Sequence, residues 1–401
     1  MQKTILVLLL LSGLSGPAIA QVRSDNWLEQ LLLANGSAKL KEVLANRDSF
    51  QYQVIYTRID RNPEGYPIFT NFHLNVDRDR YFNPASTVKL PVALAALEKI
   101  NRLRQWGIDR TTPMLTDSAF SGQTAVHSDT SSANGLPSVE HYIKKIFLVS
   151  DNDAYNRLYE LVGQNELNEM LRQKGYPGAR IIRRFVPMTE EENRHTNPVR
   201  FVKNGKLLYN NKAQYNSRPF HFPRKILIGR AYYDRNDSLI HQPMDFTAHN
   251  NLPLQDLQQM LQSVIYPESV PAQKRFLLTP DDLQFLRRYM SAYPSESTKP
   301  TYDTSEFFNS YTKFFFKGGR RTPPPHLRIF NKTGWSYGFL TDASYVIDTL
   351  HNIEFMLCAA IYVNADGVLN DNKYEYEETG YPFFAGLFEV IYEYEKRRRR
   401  D

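Results

Sequence analysis

The feature that most constrains the fold is a division along the chain. Strand-forming stretches lie near both ends, and helical ones fill the middle. Residues 50–59 are rich in β-branched and aromatic side chains. Asn62-Pro63-Glu64-Gly65 is a strong turn signal, and residues 66–74 read as the returning strand. Near the other end, residues 327–331, 345–348 and 354–363 have strand character, and Asn364-Ala365-Asp366-Gly367 is the clearest turn. Between them, residues 88–103 are apolar and Ala-rich, 139–147 are amphipathic, and 154–171 hold one or two further helices. Residues 26–46 open the chain as a helix, with Trp27, Leu31, Leu40 and Leu44 at apolar positions and Asp25 as its cap. Residues 382–395 close it, with Phe384, Leu387, Phe388 and Ile391 on one face. Strands from both ends around a helical middle predict one antiparallel sheet assembled from the two termini.

The first twenty residues differ from the rest. Lys3 precedes the apolar run Ile5 to Leu11, and Ala18-Ile19-Ala20 has the small-residue form of a cleavage site. This predicts a secretory signal over residues 1–20 and an exported, periplasmic or secreted, protein. The run is well short of the roughly 18 apolar residues of a spanning helix, and no later segment reaches that length, so no stable membrane insertion is expected after cleavage. The remaining chain has ordinary globular composition, 42% apolar and 23% charged, and room for a large core. Cys358 is the single cysteine, in an apolar run, and reads as a small buried hydrophobe. The net charge of +6 owes much to the tail Lys396 to Arg400, a solvated end; no aromatic-interleaved basic face suggests nucleic acid. The nine histidines form no close ligand pairs, so neither a metal nor a cofactor is expected. Two stretches, about 199–251 and 294–325, lack clear periodicity and read as insertions. Their aromatic side chains, including Tyr209, Tyr215, Phe220, Phe222 and Phe314 to Phe316, are expected to pack beneath long loops.

Three short motifs carry the chemistry. Ser86-Thr87-Val88-Lys89 is S-x-x-K, Ser150-Asp151-Asn152 is S-D-N, and Lys332-Thr333-Gly334 is K-T-G. Pro84 and the Ala-rich helix behind it place Ser86 at a helix start, with Lys89 on the same face within reach of its hydroxyl. A serine hydroxyl needs a neighbour to remove its proton, and a lysine can do so only where burial or positive charge keeps part of it neutral. Ser150 can relay a proton, and Asn152 can hydrogen-bond a substrate amide. Lys332 offers a cation for a carboxylate, Thr333 a hydroxyl beside it, and Gly334 a close backbone approach. By composition S-x-x-K alone is expected roughly once in a chain this long, and each triplet on the order of a tenth of a time. The ordered set, each member at an element boundary, is a strong signal.

In these motifs, and in the runs Asn83 to Pro91 and Leu327 to Gly334, the sequence resembles the class A β-lactamase and penicillin-binding-protein superfamily. The resemblance covers most of residues 26–198 and 252–395. It implies an α/β (α+β) fold, a five-stranded antiparallel sheet flanked by helices and packed against an all-helical lobe, forming one hydrolase domain over residues 21–401. It implies Ser86 as nucleophile, Lys89 as proton acceptor and Ser150 as proton shuttle. Asn152 would bind the acyl side-chain amide, and Lys332, Thr333 and Gly334 the carboxylate end. The N–H groups of Ser86 and Trp335 would form the oxyanion hole.

Class A enzymes release their acyl group with a glutamate on a loop after the S-D-N helices. Here that region reads Arg180-Ile181-Ile182-Arg183-Arg184-Phe185-Val186-Pro187, with no acid; Glu190, Glu191 and Glu192 are weak candidates. Residues 341–346 also lack the carboxylate-binding arginine of some relatives. The first expectation is therefore a β-lactam hydrolase working through an acyl-enzyme. The alternatives are a D-alanyl-D-alanine peptidase-like enzyme and a non-hydrolytic penicillin-binding or sensing module. A monomer acting on a small β-lactam or a cell-wall peptide is expected.

Overall fold

The computed structural model describes residues 21–23 and 26–398; the expected signal over 1–20 and the Asp25 cap lie outside the described residues. The main sheet comprises Gln21–Arg23 (β1), Gln53–Arg61 (β2), Pro67–Leu74 (β3), Leu327–Ser336 (β4), Phe339–Asp348 (β5) and Ile353–Tyr362 (β6). Their order is β1-β3-β2-β6-β5-β4, so the two ends of the chain meet at β2 and β6. The five longer strands are antiparallel as expected. The three-residue β1 adds a parallel edge strand beside β3 that was not foreseen.

β6 shows why the sheet is central. Phe355, Leu357, Ala359 and Ile361 enter one core, while Met356, Cys358 and Ala360 enter the other. A strand buried on both faces reads as a continuous apolar run, which is how it stands in the sequence. Cys358 is fully buried, as expected. β4 and β5 are longer than expected: β4 runs on past 331 to Ser336, and β5 starts at Phe339, well before the expected 345–348. Their two-residue turn, Tyr337-Gly338, takes φ of 53° and 77°, matching the twist of a tight hairpin. The ladder it sets pairs Thr333 with Asp342 and Gly334 with Thr341. The expectation that K-T-G follows the end of a strand is thus corrected: hairpin pairing carries β4 through the motif.

The opening helix is also corrected. It is two helices, Trp27–Asn35 (α1) and Ala38–Ala45 (α2). Gly36 is extended, and Ser37 caps α2 by accepting from the Leu40 N–H at 3.2 Å. The middle holds Lys89–Leu103 (α3), Val139–Val149 (α4), Asn152–Val162 (α5) and Gln164–Gln173 (α6), the last two separated by Gly163 at φ 88°. Leu254–Ile265 (α7), Pro280–Ser291 (α8) and Tyr381–Arg397 (α9) complete the larger helices. α1, α2 and α9 cover one face of the sheet; the helical lobe, α7 and α8 cover the other. α3 is buried on almost every side, as expected of a helix apolar all round.

The two aperiodic stretches are structured. Val199–Lys203 and Lys206–Asn211 form a hairpin that extends to Met114–Thr116. Phe314 to Phe316 are buried beneath α9, with Phe314 5.3 Å from Phe384 and Phe315 5.1 Å from Phe388, ring to ring. Packing, the expected role, is what Phe314 to Phe316 do, whereas Tyr215 is exposed, contrary to expectation. In the basic tail, Lys396 pairs with Glu393 at 2.9 Å and Arg398 with Glu395 at 2.7 Å. No helix among the described residues is long and apolar enough to cross a membrane.

Candidate active site

Ser86 lies in a single 3-10 turn, Ala85–Val88, that leads into α3. Local hydrogen bonds fix the turn. Asn83 Oδ1 accepts from the Ala85 N–H at 3.0 Å, and Thr87 donates twice to the Pro84 carbonyl. Ala85 is held at φ 42°, a conformation costly for a residue with a side chain and typical of a site that aims its neighbour. β4 lies directly against this turn. A Cβ on Gly334 would stand 2.6 Å from the Pro84 oxygen and 2.7 Å from the Ser86 nitrogen. Glycine is therefore what lets the sheet edge and the Ser86 amide come side by side, with Trp335 next along the strand.

The three motifs converge on two buried lysines. Lys89 Nζ lies 2.8 Å from Ser86 Oγ, 2.7 Å from Asn152 Oδ1 and 3.3 Å from Ser150 Oγ, and also donates to the Ser150 carbonyl. Lys332 Nζ donates to the same Ser150 Oγ at 2.9 Å and to the Thr333 carbonyl at 2.7 Å. Ser150 thus bridges the two lysines. It reaches this position because it ends α4 at φ 60°, in the left-handed region, while Asp151 caps α5 by accepting from the Ala154 N–H. Burial is the main cause that pushes Lys89 well below its usual range, and Lys332 pushes it the same way. Burial also brings Lys332 down to about 7. Ser86 is half-buried and Asn152 exposed, so the cleft opens on that side. Thr333 Oγ1 is buried without a hydrogen-bond partner in the protein.

Across Lys89 the surroundings change. The Phe185 ring centroid lies 5.0 Å from Lys89 Nζ. That ring packs at a tilt against Tyr155, 4.6 Å between centroids, and the Phe185 N–H donates to Asn156 Oδ1 at 2.8 Å. The loop behind it is fastened by Arg184, whose Nε reaches the buried Glu160 at 2.9 Å and whose Nη2 reaches the His195 carbonyl at 2.7 Å. Glu190, Glu191 and Glu192 form the first turn of the short helix Glu190–Arg194. Their partners are Arg194, His195 and Thr189. Among the described residues no carboxylate hydrogen-bonds Ser86 or Lys89.

Beneath the K-T-G motif lies a polar network the sequence did not reveal. Asn331 donates to Asp342 at 2.9 Å and accepts from Lys313 at 2.6 Å, and Ser344 also donates to Asp342 at 3.0 Å. Burial raises Asp342 to about 6 and lowers Lys313 to about 7. The stretch 341–346, which lacks an arginine, thus supplies a carboxylate under Lys332. Phe185, Lys313 and Asp342 belong to no motif; the one available signal was Asn156, four residues beyond Asn152 on one face of α5. The histidines are also less scattered than the sequence suggested: His326, Asp348 and His351 bring donor atoms within 4.8 Å of one another, outside this cleft.

Residues 37–219 match the model of the β-lactamase enzyme family. No curated protein matches the chain. Among solved structures, a β-lactamase from Xanthomonas campestris is similar at 14% identity and TM-score 0.48, covering 91% of this chain and 98% of its own. A β-lactamase from Sphaerobacter thermophilus shows 14% identity and TM-score 0.43, with 91% and 97% covered. One from Burkholderia phymatum shows 13% and 0.47, with 90% and 99% covered. Similarities of this size leave the chemistry to the residues themselves.

Proposed function

We propose that this β-lactamase-like chain of the penicillin-recognising superfamily is an exported serine hydrolase that opens β-lactams through an acyl-enzyme on Ser86. The observation that carries the reading is the 2.8 Å approach of a buried, pKa-depressed Lys89 to Ser86 Oγ. A neutral Lys89 takes the hydroxyl proton as Oγ attacks the lactam carbonyl, and it keeps two N–H donors for Asn152 and Ser150. Charge develops on the carbonyl oxygen beside the Ser86 and Trp335 N–H groups. Such donors are worth about 3 kcal/mol each. As the tetrahedral adduct collapses, the C–N bond breaks. Ser150, hydrogen-bonded to both lysines, delivers a proton to the leaving nitrogen. Lys332 and the unpartnered Thr333 hydroxyl receive the substrate carboxylate, and Asn152 the acyl side-chain amide. Water then releases the acyl group.

One observation favours a second reading. With the Phe185 ring over Lys89 and no carboxylate among the described residues bonded there, the water of the last step has no evident base. Slow release suits a D-alanyl-D-alanine peptidase-like enzyme or a penicillin-binding sensor better than a resistance enzyme. Incubation with a fluorescent penicillin, followed by chase, separates the readings. Rapid loss of label supports a lactamase, and persistent label the second reading. Absence of label on the wild-type protein, or label retained by Ser86→Ala, defeats both.

A further inference from the structure

The far end of the sheet holds a cluster that the hydrolase chemistry does not use. His326 immediately precedes β4, Asp348 ends β5, and His351 lies in the turn leading to β6. One donor atom from each comes within 4.8 Å of the other two. The imidazole rings of His326 and His351 are 5.9 Å apart, centre to centre. At ~3.3 Å per residue, His326 lies roughly 20 Å along the strand from Lys332, so the cluster is separate from the cleft.

The cluster is built rather than casual. Leu327 pairs with Asp348 in the ladder, and the Thr349 N–H donates to the His326 carbonyl at 3.1 Å, so strand pairing fixes both backbones. Asp348 is fully buried. Its Oδ1 accepts the N–H groups of Leu350 and His351 at 2.8 and 3.1 Å, and its Oδ2 takes the Tyr392 hydroxyl at 2.5 Å. The same Oδ2 lies 2.7 Å from His351 Nδ1. A carboxylate in this relation to an imidazole fixes the ring and its tautomer and raises its basicity as a ligand. His351 is exposed and His326 half-buried, so an ion reaches both from solvent.

From this the geometry points to a divalent transition-metal site, suited to zinc, in which the His326 and His351 imidazoles are direct ligands. Asp348 orients His351 or completes the set as a third ligand. Two imidazoles and a carboxylate are a borderline-soft donor set that prefers zinc or copper to calcium or magnesium. Zinc–nitrogen distances of about 2.0–2.1 Å need the rings to close by an ångström or two, a side-chain rotation. Water fills the remaining positions. Because Asp348 also holds Tyr392 of α9, the bound ion ties the β4 start, the β5–β6 turn and the C-terminal helix together.

The test uses the untagged full chain, stripped with chelator and titrated with zinc chloride by calorimetry. The wild type, His326→Ala, His351→Ala and the double variant are compared. One zinc per chain is expected for the wild type, at least tenfold weaker binding in each single variant, and none in the double variant. Because a ligand of the folded state stabilises it, zinc also raises the wild-type melting temperature, on the order of 2 °C or more, and leaves the double variant unmoved. His351 is exposed and His326 half-buried, and far-UV circular dichroism checks that each variant retains the fold. Equal zinc binding by wild type and double variant, or no binding by a folded wild type, overturns the site. Penicillin labelling at Ser86 is a separate readout and stays the same in all four proteins.

Discussion

The two sides of Lys89 are built in opposite ways. On one side Ser86, Ser150, Asn152 and Lys332 converge through hydrogen bonds of 2.7 to 3.3 Å, the first three from motifs at helix boundaries and Lys332 from within β4. On the other side lies the ring of Phe185, on a loop that Arg184 fastens to Glu160. In the proposed reaction the polar, preorganised wall forms the acyl-enzyme, while the apolar wall keeps the lysine dry and offers nothing to activate water. The difference separates two functions that share one nucleophile, and perturbing each wall should affect a different step.

The largest expected effect is at the polar wall. Lys89→Met removes the proposed proton acceptor while filling the same space, and should slow penicillin acylation by about 10²–10⁴, the usual range for a general base. Stopped-flow labelling measures it; a loss below tenfold would assign the proton to another group. Next comes Gly334→Ala. Its methyl would sit 2.6 Å from the Pro84 oxygen, and backbone on that side cannot swing away as a flexible side chain can. Displacing β4 from the nucleophile turn by even an ångström should lower acylation about 10²-fold. A crystal structure of the variant would show the shift, and unchanged labelling would mean that the sheet edge is not part of the acylating wall.

The polar wall was legible in the sequence because local rules place its members. S-x-x-K spans one helical turn, S-D-N joins two helices through a left-handed serine and an aspartate cap, and K-T-G rides on an apolar strand. The start and finish of the sheet were legible for the same reason, apart from ends set by pairing: β4 runs on through Trp335 because Tyr337-Gly338 closes a tight hairpin. The apolar wall was not legible. That the loop has no acid could be read from residues 180–187. That Phe185 comes to lie over Lys89 depends on Arg184 meeting Glu160 and on Asn156 meeting the loop backbone, contacts between segments more than twenty residues apart. Asp342 and Lys313 were hidden likewise, since their partnership crosses two strands and a loop. The split of residues 26–46 at Gly36 is a different miss, because Gly-Ser in a helical pattern is a local stop-and-cap signal.

The fastening of the apolar wall is open to a stability test. Arg184→Ala leaves Glu160 buried with Arg157, at 2.9 Å, as its remaining charged partner. Breaking one arm of such a pair should lower unfolding free energy by about 3 kcal/mol, toward the low end for buried pairs because Arg157 stays. Urea denaturation followed by circular dichroism reads this. A change under 1 kcal/mol would show that the loop is held by its backbone contacts alone.

The smallest effect should be the most informative. If Phe185 keeps Lys89 dry, Phe185→Ala admits water to the ammonium and weakens the burial that depresses its pKa. Lys89 acts as a base only above that pKa, so raising it moves the rising limb of acylation against pH toward higher pH. At neutral pH the rate then falls about tenfold for each unit of the shift, while the rate on the alkaline plateau is preserved. The pH profile of labelling distinguishes this from general loosening of the loop, which would lower the plateau and leave the limb in place. A limb that stays put would mean that Lys332 and the buried floor of the cleft, rather than the apolar wall, set the charge on Lys89.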